Sequence, residues 1–248
     1  MDVMPGAEPW SADGNEIGIL VLHGFSGSPA SMKPWGQALA EEGWTVRVPR
    51  LPGHGTTWQE ANLTTWQDWY GEAERQFLEL QARCSHVFVM GLSVGGALSL
   101  RLAEVHGDAV TGLALVNPAV SSEDKKLILL PVLSRLMSSF PGVVNDIAKP
   151  GQDEVGYDRL PLKALRSLTE FWKITKADLG KVTQPLVVFH SAHDHLIEPS
   201  SSEYILEHVA STDLREVVLL ESFHVATLDY DADLIVRDSI AFVRRLSE

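Results

Sequence analysis

A Gly-Leu-Ser-Val-Gly segment at positions 91–95 constrains this chain more than any other feature. The apolar run before it, residues 85–90, is typical of a buried strand, and residues 96–103 after it are typical of a helix. A serine between a strand and a helix lies on a sharp turn that exposes its hydroxyl above the sheet. The flanking glycines fit this turn, which leaves no room for side chains. We therefore predict that Ser93 is a nucleophile; the alternative is a glycine-rich loop with a capping serine.

Short apolar runs alternate with helical patterns along most of the chain. The runs are rich in Val, Ile and Leu with little polar alternation, as in parallel strands whose two faces are both covered by helices. Predicted strands cover residues 17–22, 45–48, 87–90, 110–116, 186–190 and 216–220, and predicted helices cover residues 29–42, 65–83, 94–105, 201–209 and 231–246. The alternation predicts an α/β fold with a doubly wound, mostly parallel sheet. A length of 248 residues fits one domain, residues 1–248.

The alternation breaks between residues 119 and 182. This stretch has helical patches, prolines at 131, 141 and 150, and no convincing strand. Long insertions in compact domains are often functional, and a lid over a site is a common case. We therefore predict that residues 119–182 form an inserted cap. Extra packing helices without a gating role are the alternative.

A serine nucleophile needs a base to take its proton and a third group to orient that base. Among nine histidines, His224 follows the last predicted strand, at the sheet edge where open α/β proteins place their sites. Asp194 follows the strand before it and is the predicted orienting acid. The order Ser93, Asp194, His224 is the chain order of α/β-hydrolases. Asp229 and Asp231 are competing acids, and a structural loop histidine is the alternative for His224.

The developing oxyanion needs two preorganised N–H donors. The residue after the nucleophile, Val94, supplies one. The second is predicted to be the backbone N–H of Phe25, in a His-Gly loop after the first predicted strand that is similar to the loops of lipases and esterases. His23 is expected to brace this loop. A phosphate loop is the alternative, but the Gly-x-x-x-x-Gly-Lys pattern is absent from the sequence.

Charge and composition exclude several partners. A net charge of −13 argues against nucleic acid and anionic membrane surfaces. No apolar run approaches the ~20 residues of a membrane span. The single cysteine, Cys84, permits no internal disulfide, and the acidic start is unlike a signal peptide, so we expect a cytoplasmic protein. The His-Asp-His run at 193–195 lacks a third ligand at motif spacing, so no metal is expected.

These motifs together resemble the α/β-hydrolase superfamily over nearly the whole chain, and more closely its small bacterial carboxylesterases and monoacylglycerol lipases. The residues that carry the resemblance are His23-Gly24-Phe25, Pro52-Gly53-His54-Gly55, Gly91 to Gly96, Tyr157-Asp158-Arg159, Asp194, and Phe223 to Asp231 around His224. The resemblance implies a helical cap, a serine-hydrolase mechanism and no cofactor. It also implies a polar cap residue for a glycerol head, for which Asp158 is a candidate; a surface aspartate is the alternative.

The resemblance and the residues together predict a hydrolase of monoacylglycerols or short-to-medium-chain esters. Apolar residues between Leu127 and Leu136 are candidates for an acyl-binding surface, although they could equally pack the cap onto the body. Leu92 and Val94 depart from the His and Met that many monoacylglycerol lipases carry beside the nucleophile, so the acyl pocket is expected to differ. A thioesterase, a carbon–carbon bond hydrolase and a ligand receptor on a hydrolase scaffold are the alternatives. The sequence fits a monomer or a dimer.

Overall fold

The computed structural model describes residues 2–247. Its centre is a seven-stranded sheet in the order β1-β3-β2-β4-β5-β8-β9, with only β1 antiparallel to its neighbour. These strands are β1 (Trp10–Ala12), β2 (Ile17–Leu22), β3 (Thr45–Val48), β4 (His86–Leu92), β5 (Gly112–Val116), β8 (Leu186–Ser191) and β9 (Leu214–Leu219). The doubly wound, mostly parallel sheet is confirmed.

Helices cover both faces because successive strand residues point to opposite sides. In β2, Leu20 and Leu22 join one apolar cluster and Ile19 and Val21 join the other. The first cluster contains residues of α3, α4, α6 and α7, and the second contains residues of α1 and α8. The helices are α1 (Lys33–Glu41), α2 (Trp58–Ala61), α3 (Trp66–Gln81), α4 (Val94–His106), α5 (Leu130–Leu136), α6 (Leu162–Asp178), α7 (Pro199–His208) and α8 (Ala232–Ser247). Within residues 2–247, none of these helices combines the length and the apolar character needed to cross a bilayer.

The insertion, residues 119–182, leaves the sheet after β5 and returns to it at β8. It contains α5, α6 and a short antiparallel pair of strands, β6 (Ser139–Pro141) and β7 (Arg159–Pro161). The expectation of no strand in this stretch is therefore wrong, since two three-residue strands separated by 17 residues give too short a pattern to recognise. One side of α6 packs into the core through Leu162, Leu168 and Phe171.

The carboxyl edge of the parallel strands gathers the loops that follow β2, β4, β8 and β9. β4 lies in the middle of the sheet, whereas β9 is one of its two edge strands and pairs only with β8. Most of β9 is exposed or half-buried, and only Leu219 at its end is fully buried. The two loops after β8 and β9, here the acid loop (residues 192–198) and the base loop (residues 220–225), begin side by side because Ser191 and Leu219 are register partners.

Candidate active site

Ser93 occupies the sharp turn between β4 and α4. Its φ of 55° lies in the left-handed region that a side-chain-bearing residue rarely adopts. The turn is held by the Ser93 N–H, which donates to the Val116 carbonyl at 2.9 Å. A Cβ on Gly91 would overlap the Gly95 backbone, and one on Gly95 would overlap the Leu22 carbonyl. The glycines of the motif are therefore required by the close approach of strand, turn and helix.

His224 and Asp194 meet at the ends of neighbouring loops. His224 Nδ1 lies 2.7 Å from Asp194 Oδ2, and both side chains are nearly buried. Asp194 Oδ1 accepts the backbone N–H groups of Leu196 and Ile197, each at 2.8 Å. When Nδ1 donates to the carboxylate, a neutral imidazole keeps Nε2 as an acceptor, which is the form a general base requires.

Competing electrostatic effects act on His224. Burial alone would lower its pKa, because a charged imidazolium is poorly solvated in the protein interior. The hydrogen bond and charge of Asp194, with the charges of Glu154 and Asp146, outweigh burial and raise the pKa above the ordinary 6.5. The site therefore stabilises the protonated ring that forms when a base accepts a proton.

The His-Gly loop after β2 is braced by a neutral histidine. Burial, and then the neighbouring His54, lower the pKa of His23 to about 3. Its Nε2 accepts the Leu51 N–H at 3.1 Å, so Nδ1 carries the proton and donates to the Gly24 carbonyl at 2.9 Å. This fixes the loop above the turn, where a Cβ on Gly24 would lie 3.2 Å from the Ser93 Cβ.

A cavity of about 470 Å³ opens over these groups. It is lined by the predicted nucleophile, the predicted base and the two predicted oxyanion donors, together with residues of the acid loop and the insertion. The lining includes Phe25, Ser26, Ser93, Val94, Leu127, Val143, Glu154, Leu160, Leu165, Leu168, Trp172, His195 and His224. Val94 begins α4, so its N–H has no carbonyl one turn earlier to donate to within that helix.

The structure brings together five of the six predicted site residues. Asp194 supports His224 from behind, and Ser93, His224, Phe25 and Val94 line the cavity. The sixth, Asp158, is exposed and does not line the cavity. Glu154, four positions earlier, does line it.

Both competing acids have other partners. Asp229 is buried and accepts the N–H groups of Phe223, Ala148, Lys149 and Tyr230, at distances of 2.7–2.9 Å. Asp231 accepts the Glu221 N–H at 3.0 Å. These two acids shape the turn before α8, and Asp194 is the acid hydrogen-bonded to the His224 ring. In residues 2–247, no group of three or more His, Cys, Asp or Glu side chains is arranged to hold a metal ion.

Two acidic residues of the insertion, Glu154 and Asp146, act on His224 without any sequence signal that predicts it. Glu154 lines the cavity, and its Oε1 accepts the Asn145 N–H at 2.8 Å. Asp146 is buried behind the base loop, where Oδ2 accepts the His224 N–H at 3.1 Å. Neither lies in a motif, and each comes near His224 only because the insertion folds back over the sheet edge.

Only part of the predicted acyl surface between Leu127 and Leu136 faces the cavity. Leu127 lines it and Leu130 is buried in the core, but Ile128, Leu129, Val132 and Leu136 are exposed. The helix α6, which was not predicted, supplies further apolar side chains to the cavity. They are Leu165, Leu168 and Trp172, whose spacing of three and four residues marks one helix face.

The sheet order and the grouping of serine, histidine and aspartate loops at one edge define an α/β-hydrolase. The chain belongs to the Hydrolase_4 family, described as serine aminopeptidase, S33, whose model matches residues 15–231. It is 36% identical to the thermostable monoacylglycerol lipase of Bacillus sp. (strain H-257) over 247 residues, which cover 97% of this chain and 95% of that protein. It is 26% identical to a carboxylesterase of Bacillus subtilis (strain 168), with 96% and 97% covered.

Two solved structures of lipolytic enzymes are also similar to this chain. The structure reported for the metagenome-derived lipolytic enzymes LipS and LipT matches with a TM-score of 0.95 at 36% identity, covering 98% of this chain and all of that one. The monoacylglycerol lipase of Paleococcus ferrophilus shares the fold, with a TM-score of 0.79 at 17% identity and 98% of both chains covered. The family and these relatives identify the chain as a serine hydrolase.

Proposed function

We propose that this enzyme hydrolyses monoacylglycerols and related medium-chain esters through an acyl-enzyme on Ser93. The observation that carries the proposal is the cavity of about 470 Å³ that Ser93 and His224 line together with apolar residues of the insertion and the Glu154 side chain. Its volume is within the range of pockets that enclose a small ligand, roughly 300–1,000 Å³. The name of the relative from Bacillus sp. (strain H-257) supports the choice of substrate.

The reaction proceeds in two halves. His224 takes the proton of Ser93 as Oγ attacks the ester carbonyl, while Asp194 holds the imidazole in the Nδ1–H tautomer and stabilises its charged form. The N–H groups of Phe25 and Val94 hold the oxyanion. His224 then returns the proton to the leaving alcohol. Water, deprotonated by the same histidine, releases the fatty acid and restores Ser93.

The acyl chain is proposed to lie against the insertion. Leu165, Leu168 and Trp172 of α6 and Leu127 before α5 give this wall of the cavity an apolar surface. Burying an alkyl chain there contributes about 0.8 kcal/mol per methylene, so affinity should rise with chain length until the cavity is filled. In this role residues 119–182 act as the cap of the enzyme within a single domain.

Glu154 is proposed to receive the glycerol head. It approaches the His-Gly loop closely, since a Cβ on Gly27 would lie 3.2 Å from Glu154 Oε2. Burial raises the pKa of this carboxyl, and the N–H of Asn145 works against that rise. A carboxylate can accept hydrogen bonds from two neighbouring hydroxyl groups, which a monoacylglycerol has and a simple ester lacks.

The nucleophile is tested by Ser93→Ala. Turnover of a p-nitrophenyl ester should fall by at least about 10⁴-fold, because the remaining hydrogen-bond donors bind the carbonyl but nothing attacks it. Ser85→Ala is the matched control, since Ser85 is exposed at the opposite end of the same strand region. Folding of both variants is checked by circular dichroism. If Ser93→Ala kept near-wild-type rates, Ser93 would not be the nucleophile.

The substrate is tested by a panel of purified compounds. We expect kcat/KM to be highest for monoacylglycerols of medium chain length and lower for the matching methyl esters, which lack the glycerol hydroxyls. Acyl-CoA thioesters and a ring-cleavage dienoate serve as the competing substrate classes. A higher kcat/KM for either class than for monoacylglycerols would overturn the proposed substrate while leaving the nucleophile assignment intact.

A further inference from the structure

Asp146, in the insertion, connects the loops that carry the acid and the base. Its side chain is buried, and Oδ2 accepts two backbone N–H groups, from His224 at 3.1 Å and from His195 at 3.3 Å. Oδ1 lies 2.7 Å from His195 Nδ1. One carboxylate thus receives hydrogen bonds from both the acid loop and the base loop, although it lies 49 residues from His195 and 78 from His224.

The segment around Asp146 is itself fixed to the base loop. The Asp146 carbonyl accepts the Val225 N–H at 3.1 Å. The next residues, Ala148 and Lys149, donate to the Asp229 carboxylate at 2.7 and 2.9 Å, and that carboxylate also accepts the Phe223 N–H at 2.9 Å. Asp146 therefore lies in a rigid crossing of the insertion over residues 223–229 and is not a loosely attached surface group.

The position of this crossing matters because β8 and β9 no longer pair along the two loops. Within residues 2–247, the last backbone–backbone hydrogen bond between the loops is from the Ala192 N–H to the Leu219 carbonyl, at 2.9 Å. The Ser191 hydroxyl and the Asn117 amide donate to the Phe223 and His224 carbonyls at 2.8 and 2.7 Å, and these contacts hold the base loop but not Asp194. Beyond the Ala192 contact, Asp194 and His224 must reach a 2.7 Å contact from two separate loops. A shift of about 1 Å in such an arrangement can lower a rate by about 10²-fold.

We propose that Asp146 is a positioning residue of the hydrolase: it holds the acid loop against the base loop so that Asp194 and His224 stay in contact. It also adds negative charge behind the base. The charged groups around His224 are Asp194 from the acid loop and Asp146 and Glu154 from the insertion. His195 shares Asp146 with the base loop, with its ring against Phe223 at 4.5 Å between centroids. The inference rests on the proposed roles of Ser93, Asp194 and His224.

Two substitutions separate geometry from charge. Asp146→Ala removes all three acceptor contacts and leaves buried N–H groups unpaired. Asp146→Asn keeps an oxygen for the two backbone N–H groups, and its amide can donate to His195 Nδ1 if that ring changes tautomer. Asp108→Ala is the matched control, an exposed aspartate just before β5, at the opposite edge of the sheet.

The kinetic measurements are kcat and KM for a p-nitrophenyl ester, with kcat expressed per active site counted by a fluorophosphonate probe. The third measurement is the rate at which the probe labels Ser93. We expect Asp146→Ala to lower kcat and the labelling rate by about 10- to 100-fold with KM within about threefold. Asp146→Asn should recover most of kcat. The acid limb of its kcat/KM profile, which reports protonation of His224, should move to lower pH because the charge of Asp146 no longer raises the pKa of His224. The labelling rate does not depend on which ester is the natural substrate, so it tests Asp146 even if monoacylglycerols prove to be the wrong class.

Two results would overturn the proposal. Asp146→Ala could keep kcat per active site within about threefold of wild type, with only the fraction of active protein reduced; the residue would then serve folding alone. Alternatively, Asp146→Asn could be no better than Asp146→Ala and leave the acid limb in place, which would exclude both the positioning and the charge effect. If Asp146→Ala does not fold, the Asn variant alone decides, through its acid limb and labelling rate.

Discussion

The insertion and the rest of the chain differ in charge, in histidine content and in surface. Residues 119–182 carry 10 of the 20 Lys and Arg residues but only 8 of the 33 Asp and Glu residues, and none of the nine histidines. The five inner strands of the sheet are almost entirely buried, whereas the insertion exposes large apolar side chains such as Ile128 and Leu136. The body supplies the groups proposed for the chemistry, and the insertion supplies most of the surface proposed for the substrate.

This division has a physical basis. A nucleophile on a strained turn needs a rigid support, and the centre of a packed sheet provides it at β4. A surface that accommodates an acyl chain needs apolar area and can change residues without disturbing the sheet. The two regions are also in contact with each other, and Asp146 and Glu154 bring negative charge from the insertion close to His224. Substitutions in the body should therefore act on kcat and stability. Substitutions in the insertion should act on KM and substrate choice, except at Asp146, where the effect is expected on kcat.

The largest effect is expected at Asp194 in the body. Asp194→Asn should lower kcat by about 10⁴-fold with little change in KM, because an amide favours the wrong imidazole tautomer and stabilises its charge poorly. Steady-state kinetics on a p-nitrophenyl ester measure it. Asp233→Asn, an exposed aspartate at the start of α8, serves as the control. A loss smaller than about tenfold would indicate that another acid supports His224.

Substitution of one glycine in each region compares how well the two regions tolerate an added methyl group. Gly95→Ala should lower the unfolding free energy by about 3 kcal/mol or more, because the added Cβ meets the Leu22 carbonyl and backbone must move. Gly180→Ala in the insertion should change it by no more than about 0.5 kcal/mol, since its nearest contact is 4.0 Å away. Urea denaturation measures both. Equal losses at the two sites would remove the distinction between a rigid body and a tolerant insertion.

The buried histidines make the body sensitive to acid. Burial lowers the pKa of His54 to about 4, whereas the unfolded chain protonates it near 6.5, so the unfolded state binds more protons between these values. The stability that the neutral ring provides is therefore lost as pH falls below 6.5, by about 1.4 kcal/mol per pH unit. The unfolding free energies of wild type and His54→Gln, measured across this window, should differ in slope by that amount. Parallel curves would show that His54 is protonated in the folded state.

The smallest effect is expected at Glu154 in the insertion. Glu154→Gln should raise KM for a monoacylglycerol by about tenfold, or 1.4 kcal/mol, because a charge-assisted hydrogen bond is replaced by a weaker one. KM for the matching methyl ester should stay within about twofold when both are measured on the alkaline plateau. Glu170→Gln, an exposed glutamate on α6, is the control. Equal increases for both esters would place the defect outside the glycerol head.

Sequence reasoning works well for the body because its signals are local. The buried runs at β2, β4 and β8 are apolar over four or more residues, and the Ser93 turn carries its own glycines. Asp194 and His224 follow from chain order and from the rule that parallel strands end at one edge. Small errors occur where polarity interrupts a strand: β5 begins at Gly112 and not at 110, and β9 begins at Leu214 because its exposed residues conceal it.

The insertion is predicted poorly because its contacts are long-range. Asp158 belongs to a recognisable Tyr-Asp-Arg segment yet points to solvent, whereas Tyr157 beside it donates to the Gly53 carbonyl at 2.6 Å. Asp146 and Glu154 acquire their positions from chain that folds across the sheet edge, and no spacing rule encodes such a crossing. The helix α6 was also missed, although its apolar residues recur at intervals of three and four in the sequence.

The position of β9 at the edge of the sheet also has a consequence for thermal inactivation of the enzyme. His224 lies in the loop after β9, an exposed edge strand, whereas Ser93 follows the central strand β4. Edge elements open by local fluctuations that cost less than global unfolding. If β9 separates from β8, His224 would move away from the site while the turn that carries Ser93 stays intact. Thermal inactivation should then precede the loss of overall secondary structure, and cooling should restore activity until the separated edge of β8 finds another strand to pair with.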